Sequence, residues 1–360
     1  MTRRDPNLSA ASLILVNYRS AALVRQAVES ARGTTAIDLE IIVVDNSADP
    51  KELRALEGCG ADVVMAAPSN RGYGAGINLG RTRATADILV ASNPDVIFHS
   101  GCIDLLAQSL EAPVGISGPA LFWDDGLQWH LPPADKPGFG AALAAMLDSR
   151  SSRLRKVSDA RRVLRRVAFW TAQAPMLVGA LSGAVLAIRR ELFDQLGGFD
   201  ERFFLYFEEH DLIRRAALRG WRSMFVPAAR CRHLYNQSAR SSSEAVAHYA
   251  ASERRYAGTG IGGRASALAN RLTRRCEPGD LPEASAIHLE GRPDELLIEA
   301  SPLPGFETAA GCFPDSTVIS VPEEVWTSYQ DRFLYLRTVL RRNGRTVATF
   351  VREKHLELSP

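Results

Sequence analysis

Three continuous apolar runs constrain this chain more than any other feature: SLILVN from Ser12, LEIIVVD from Leu39 and ADILVAS from Ala86. None alternates polar with apolar residues over its length, so each is expected to be buried on both faces. Between them the spacing turns helical: Ser20–Arg32 carries Ala21, Val24, Val28 and Ala31 on one side, and a second helix is expected near Pro50–Glu57. A short strand at Asp62–Ala66 and a glycine-bearing helix at Arg71–Thr85 complete the alternation. Strand and helix in turn, with uninterrupted apolar strands, predict a mostly parallel sheet covered on both faces.

In such sheets ligands sit outside the carboxyl ends of the strands. Those ends are polar here: Val16-Asn17-Tyr18-Arg19, Asp45-Asn46-Ser47 and Asn93-Pro94-Asp95. Asp45 alone would serve equally well as a helix cap, but three polar strand ends on one edge point to a ligand crevice. A dinucleotide site would require G-x-G-x-x-G after the first strand. That loop is NYRSAAL, without glycine.

A second organising stretch is Ser182–Asp211, SGAVLAIRRELFDQLGGFDERFFLYFEEHD. It follows an apolar strand expected over Leu177–Ile188, continues as a helix over Arg189–Leu196 and stops at Gly197-Gly198, a pair suited to a left-handed cap. Asp200 can cap the turn that follows. The aromatic run Phe203–Phe207 then leads into Glu208, Glu209 and Asp211 in the first turn of another helix. Acids are favoured at a helix N-terminus by the macrodipole, and a carboxylate anchored there can act as a general base. The structural alternative for Asp211 is pairing with Arg214 and Arg215 at i+3 and i+4, worth about 0.2–0.5 kcal/mol on an exposed helix.

The charge balance, 43 basic against 41 acidic residues for a net +2, gives no argument for nucleic acid. Local charge is uneven. Gly140–Trp170 holds Arg150, Arg153, Arg155, Lys156, Arg161, Arg162, Arg165 and Arg166, with Leu154, Val157, Val163, Leu164 and Val167 near helical spacing. This insertion, at about 134–172, suits either a helix packed on the core with a solvated face or contact with anionic lipid head groups through Arg150–Arg166. Phe169 and Trp170 at its end suit an interfacial anchor or a core. Cys59, Cys102, Cys231, Cys276 and Cys312 are widely spaced without C-x-x-C and read as reduced thiols in a cytoplasmic protein. MTRRDPN lacks a signal peptide's apolar segment. The longest apolar run, Met176–Ile188, is shorter than the roughly 20 residues a membrane span needs.

After a strand at WRSMFVP comes ARCRHLYNQS; helices are expected at Ser241–Tyr256 and Ala265–Arg275, and a linker at Glu277–Glu283. Beyond it strands dominate, ending in a hairpin around Asn343-Gly344. Residues 281–360 are thus expected to form a small β-rich domain after a first domain at 8–276. A saccharide-binding module, an arm for a homodimer and a cover over the first domain are all compatible with it.

GGFDERFFLYFEEHD resembles the late motif of family 2 glycosyltransferases of the rhamnosyltransferase-like branch, where G-G-F-D-x-x-F-F-x-Y precedes E-[DE]-x-D-L. VVDNS resembles that family's nucleotide-binding strand end, NRGYGAGINLG its N-x-G-[FY]-[GA]-x-[AG]-x-N segment, and NPD stands where the family has D-x-D, with Asn93 in place of the first acid. His233 with Ser238 is similar to an H-x-x-G-x-S element, Asn236 and the spacing departing from it. The resemblance covers roughly Ser12–Ser238. It implies a GT-A fold of α/β class, with a mostly parallel nucleotide-binding sheet flanked by helices, and inverting transfer of a sugar from a nucleotide-diphosphate donor to a saccharide or lipid-linked acceptor. It implies Glu209 as base, with Glu208 and Asp211 positioning it or bonding substrates. Val16, Asn17, Tyr18, Asp45, Asn70, Gly72, Asn78 and Asn93 would border the nucleotide sugar. Asp95, with His233, would hold Mg²⁺ or Mn²⁺ carried by the donor diphosphate. It also implies work at the inner face of the cell membrane. Two rivals are a nucleotidyltransferase, which usually has a glycine- and lysine-rich early loop, and a non-catalytic sugar-nucleotide or saccharide-binding module.

Overall fold

The computed structural model describes residues 10–137, 139–234, 243–258, 281–289 and 291–354. Its first half is built as the apolar runs require. β1 (Ala10–Asn17) is followed by α1 (Ala21–Thr34), β2 (Asp38–Asp45), α2 (Pro50–Ala55), β3 (Val63–Ala66), α3 (Tyr73–Arg81) and β4 (Ile88–Ser92). β1 lies between β2 and β4, and β3 flanks β2, all four in parallel. α1 turns Ala21, Val24, Ala27, Val28 and Ala31 to the sheet. α2 begins at Pro50, and the Asp49 side chain accepts from the Lys51 N–H, an N-cap that satisfies an otherwise orphaned donor.

Next come β5 (Val96–Phe98), α4 (Cys102–Gln108), β6 (Val114–Phe122) and the two-residue β7 (Trp129–His130). The insertion forms α5 (Phe139–Asp148) and α6 (Ser152–Trp170), and β8 (Met176–Val178), β9 (Val185–Arg189), α7 (Arg190–Gln195), α8 (Glu208–Leu218), β10 (Arg222–His233) and α9 (Ser243–Gly258) follow. β9 runs antiparallel between β4 and β6, and β10 runs parallel beside β6. One core packs α1 and α4 against one face of the sheet. Another packs α3, α7 and α8 against the opposite face. This is the mostly parallel, helix-flanked α/β sheet that the resemblance implies.

The run Met176–Ile188 is not one strand. It breaks into β8, which pairs with the start of β10, and β9 in the centre of the sheet, with a loop from Gly179 to Ala184 between them. Apolar content hid the break, because Ala180, Leu181 and Ala184 are buried in the loop itself.

β11 (Ala286–His288), β12 (Leu296–Ser301), β13 (Ala310–Cys312), β14 (Val318–Ser320), α10 (Glu323–Ser328), β15 (Phe333–Leu340) and β16 (Thr346–Glu353) form the C-terminal part. The expected hairpin is β15–β16, with Gly344 at φ +68° after Asn343. These strands extend the central sheet: β13 pairs antiparallel with β7, so the order continues β6-β7-β13-β12-β15-β16. Among the described residues, β11 and β14 pair apart from it. The helix expected at 265–275, the linker at 277–280, Asn236 and Ser238 lie outside the described residues.

α6 lies against that extension. Arg166 is buried, donating to Glu299 at 2.8 Å and to the Glu307 carbonyl, while Arg337 donates to Glu299 at 2.7 Å and to Asp159 at 2.6 Å. Arg166 is therefore no part of a membrane-facing surface, as the basic run suggested. Trp170 is likewise a core residue: its indole N–H donates to the Leu131 carbonyl, and its ring fills the space over Gly311, where a Cβ would come within 2.2 Å. Phe169 stacks on Phe225 with centroids 3.8 Å apart. The outward face of α6 keeps Arg153, Arg161 and Arg165 exposed beside Leu154, Val157 and Leu164.

Candidate active site

The carboxyl ends of β1, β2 and β4 meet at one edge, in register at Asn17–Asp45 and Leu15–Ser92. Asn17 is fully buried and its amide donates to Asp45 Oδ1 at 2.9 Å and to Glu52 at 3.0 Å. Its Oδ1 accepts from the Ser20 N–H and hydroxyl. Ser47 donates to Asp45 through its N–H and its hydroxyl, so this carboxylate is fixed by three donors at the crevice edge. Tyr18 stands half exposed beside them, with the Arg19 guanidinium 5.5 Å from its ring centroid. Val16 turns its side chain inward against the Gly76 position, so it borders the edge without offering a polar side chain.

The glycine segment is a latch more than a cradle. Asn70 accepts from the Gly72 N–H, and Asn46 donates to the Gly72 carbonyl. At φ +93°, Gly72 lies so close to the Phe204 backbone that a Cβ would sit 2.0 Å from its carbonyl oxygen; only glycine combines that dihedral with that approach. Asn78 bonds both backbone groups of Phe199, donating at 2.9 Å and accepting at 2.9 Å. The segment thus clamps the G-G-F-D turn, and through it the start of α8, to the sheet.

α8 begins under strain. Tyr206 and Phe207 both have φ +69°, a rare conformation for bulky side chains that survives where packing over-determines it. Here the packing comes from α9: Phe204 stacks on His248, Phe207 lies against Tyr249 and Tyr256, and Ser252 donates to the Leu205 carbonyl.

The three acids of α8 then have different environments. Asp211 is buried with its two oxygens held by Arg214 at 2.8 Å and Arg215 at 2.6 Å, while Arg215 also donates to the Leu196 and Gly198 carbonyls. The pairing foreseen from sequence is present, but buried instead of solvated, and it ties α8 to the Gly197-Gly198 turn. Glu208 is 5% exposed and its Oε2 has no hydrogen-bond partner among the described residues. Burial, then the charge of Glu209, pushes its carboxyl well above the usual range and favours the protonated form. Glu209 packs over Gly183, whose missing Cβ would lie 3.3 Å from the Glu209 carboxyl carbon, and its Oε1 is 3.6 Å from His210 Nε2.

The long strand β10, paired with β5, brings His233 across from Val96. His233 Nε2 lies 3.3 Å from Asp95 Oδ1 and 3.4 Å from the Asn93 amide nitrogen. Sequence separates these groups by about 140 positions. No group of three or more His, Cys, Asp or Glu side chains arranged for a metal occurs among the described residues. One carboxylate with an imidazole fits a hard or borderline cation that keeps waters and binds substrate phosphate, as Mg²⁺ and Mn²⁺ do.

Tyr73 was missed from sequence. Its hydroxyl donates to the Gly183 carbonyl at 3.5 Å, and burial above all holds its phenol well above its ordinary range. Gly183 thus joins Tyr73 to Glu209, whose side chain packs on it. The motif's [FY] position gave the only signal, and it does not distinguish a hydroxyl from a bare ring.

A family model described as "Glycosyltransferase like family 2" matches residues 6–256. Two curated relatives, the N-acetylglucosaminyl-diphospho-decaprenol L-rhamnosyltransferases of Mycobacterium tuberculosis strains CDC 1551 / Oshkosh and ATCC 25618 / H37Rv, are each 28% identical over 239 residues, covering 61% of this chain and 75% of the relative. Among solved structures, the mannosyltransferase PcManGT from Pyrobaculum calidifontis in complex with GDP-Man and Mn²⁺ is 15% identical, over 73% of this chain and 69% of that one, with a TM-score of 0.46. GalNAc-T7 with UDP, GalNAc and Mn²⁺ is 16% identical, over 74% of this chain and 55% of that one, with a TM-score of 0.49.

Proposed function

Because this chain belongs to glycosyltransferase-like family 2, we propose that it transfers a sugar, rhamnose being the first candidate, from a nucleotide-diphosphate donor to a hydroxyl of a saccharide or lipid-linked saccharide, with inversion. The observation that carries this reading is the carboxyl edge of the sheet, where Gly183 touches both Glu209 and the Tyr73 hydroxyl and His233 meets Asp95. The rhamnosyltransferase relatives support the choice of sugar and of a lipid-linked acceptor in cell-surface polysaccharide synthesis.

In this reading Asp45, held in place by the buried Asn17, anchors the nucleotide, Tyr18 offers its exposed ring to the base, and the donor diphosphate lies toward Asn93, Asp95 and His233. Asp95 and His233 would hold the divalent cation, which when bound offsets negative charge on the diphosphate. Glu209 accepts the acceptor's hydroxyl proton as that oxygen bonds to the anomeric carbon. The bond from that carbon to the diphosphate oxygen breaks, and the electron pair leaves with the diphosphate. Glu208, kept neutral, adds no second negative charge beside the base and can donate a hydrogen bond. Asp211 holds the helix and leaves the proton to Glu209.

Residues 281–360 act in this proposal as a β-rich accessory unit that braces α6. No helix among the described residues is long and apolar enough to cross a membrane. The outward face of α6 supports peripheral attachment to an anionic membrane, which salt-reversible sedimentation with anionic but not neutral vesicles checks. Product analysis with a set of nucleotide sugars, Mn²⁺ and N-acetylglucosaminyl-diphospho-prenol tests the activity. Release of a nucleoside diphosphate with a glycosylated acceptor is expected. Pyrophosphate release would indicate nucleotidyl transfer, and binding without turnover a non-catalytic module.

A further inference from the structure

The motif E-[DE]-x-D-L leaves its third position open, and here that position is His210. Neighbouring side chains on a straight helix point apart, yet His210 Nε2 lies 3.6 Å from Glu209 Oε1. Packing draws the two together. Phe207, left-handed at the cap of α8, sets its ring 5.7 Å from the imidazole, and Tyr256 of α9 sets another 6.1 Å away, each tilted by 58°. The Glu209 side chain also rests against Gly183, so the base is confined both by the imidazole and by the backbone of that loop.

Arg214 and Arg215 of the same helix turn their guanidinium groups to Asp211. That division suits a base. A permanent cation beside Glu209 would favour its charged form and weaken its hold on a proton. A neutral imidazole can donate a hydrogen bond and leave the carboxylate basic. Glu209 needs such a partner more than an aspartate would, because its extra methylene adds a rotatable bond that must be ordered before the group can serve. Activated sites are commonly built with the base oriented by a third group. Contacts of this kind are often long before substrate binds and tighten in the complex, and 3.6 Å is such a distance.

We propose that His210 is the positioning residue of the base: in the substrate complex its Nε2–H donates to Glu209 Oε1 and leaves Oε2 toward the acceptor hydroxyl. The inference rests on the glycosyl-transfer reading and adds the group that aims its base. The acceptor's proton passes to Glu209 Oε2 as the acceptor oxygen bonds to the anomeric carbon. His210 keeps its own proton and touches neither substrate. Were His210 present for packing alone, any ring of its size beside Phe207 and Tyr256 would replace it, and that separates the two roles.

The test is single-turnover transfer by the full chain with Mn²⁺, N-acetylglucosaminyl-diphospho-prenol and the nucleotide sugar that the product assay selects. His210→Phe keeps a ring in place and removes the donor, so the transfer rate should fall by about 10²-fold, the scale of a misplaced reacting group. The half-saturating concentrations of both substrates, nucleoside-diphosphate affinity and the melting temperature should stay at parent values. His210→Gln, which can put an N–H near the place of Nε2, should transfer at a rate nearer the parent's than that of His210→Phe. In a Glu209→Gln background His210→Phe should cost nothing further, because it acts through the base. Parent-rate transfer by His210→Phe, equal loss in the Gln and Phe variants, or a full further loss on top of Glu209→Gln would each overturn the assignment. Absent nucleoside-diphosphate release by the parent chain sinks sugar transfer and this role with it, whereas equal release by the parent and His210→Phe sinks this role alone.

Discussion

The crevice and the seam between α6 and the C-terminal strands handle charge in opposite ways. At the seam the most deeply buried charges answer one another: Arg166 and Arg337 share Glu299, and Arg337 reaches on to Asp159. At the crevice Glu208 is buried with an oxygen left unsatisfied, Glu209 lies beside it, and Tyr206 and Phe207 are held in strained dihedrals to present them. Satisfied buried networks specify a structure. Unsatisfied groups and strain, kept in place by surrounding packing, mark where a chain has been shaped for chemistry. The difference separates residues that build the molecule from residues that act on a substrate, even where both are buried acids.

The comparison breaks first, and most heavily, at Glu209. Glu209→Gln keeps the shape and removes the proton acceptor, so turnover should fall by about 10²–10⁴-fold. Nucleoside-diphosphate affinity, measured by titration, should be unchanged and the melting temperature nearly so. Parent-rate transfer by this variant, with chemistry rate-limiting, would move the base elsewhere. The reciprocal change at the seam is Glu299→Ala. It strands the buried Arg166 guanidinium, takes from Arg337 one of its two carboxylate partners, and should cost about 3–5 kcal/mol of stability, read from denaturant unfolding, while the fraction still folded binds nucleoside diphosphate normally. Undiminished stability would mean that the network is not what holds α6 to the sheet.

A smaller effect sharpens the contrast through pH. His130, in β7 at the seam, lies among Phe122, Trp170 and Phe313, and burial, followed by the Arg230 cation, lowers its pKa from 6.5 to about 4. The unfolded chain therefore takes up a proton that the folded chain refuses. The stability contributed by the neutral ring is complete above about pH 6.5 and is lost as pH falls toward 4, by as much as about 3 kcal/mol. His130→Phe should flatten this part of the stability–pH curve. An identical slope in parent and variant would assign the acid sensitivity to other groups.

Most of the crevice was legible because it is built from short-range signals: apolar runs fix the strands, and their last residues must reach the carboxyl edge. Asn17, Asp45 and Asp95 follow from that alone. The acids of α8 were visible as a group, and the pairing of Asp211 with Arg214 and Arg215 follows from their spacing. What surrounds Glu208 and Glu209 depends on elements farther away in sequence, as Glu209 depends on Gly183. The seam was least visible. Glu299 in ELLIEAS looks like an ordinary outward strand position until Arg166 is placed over it. β7 is two residues long, too short for any periodicity to reveal that residues near 130 and 311 would pair.

That brief strand also fixes when the protein can be completed. Arg166 precedes Glu299 by 133 residues, so at about 5–20 residues per second on a ribosome the guanidinium emerges roughly 7–27 s before its carboxylate. During that interval the nucleotide half can assemble, since β1, β2, β3, β4, β6, β9 and β10 have all been made. α6 meanwhile lacks the Glu299 carboxylate for its buried arginine, and the open side of β7 is an unpaired edge of the kind that recruits other chains. β13 thus serves the newborn polypeptide as its own closing strand.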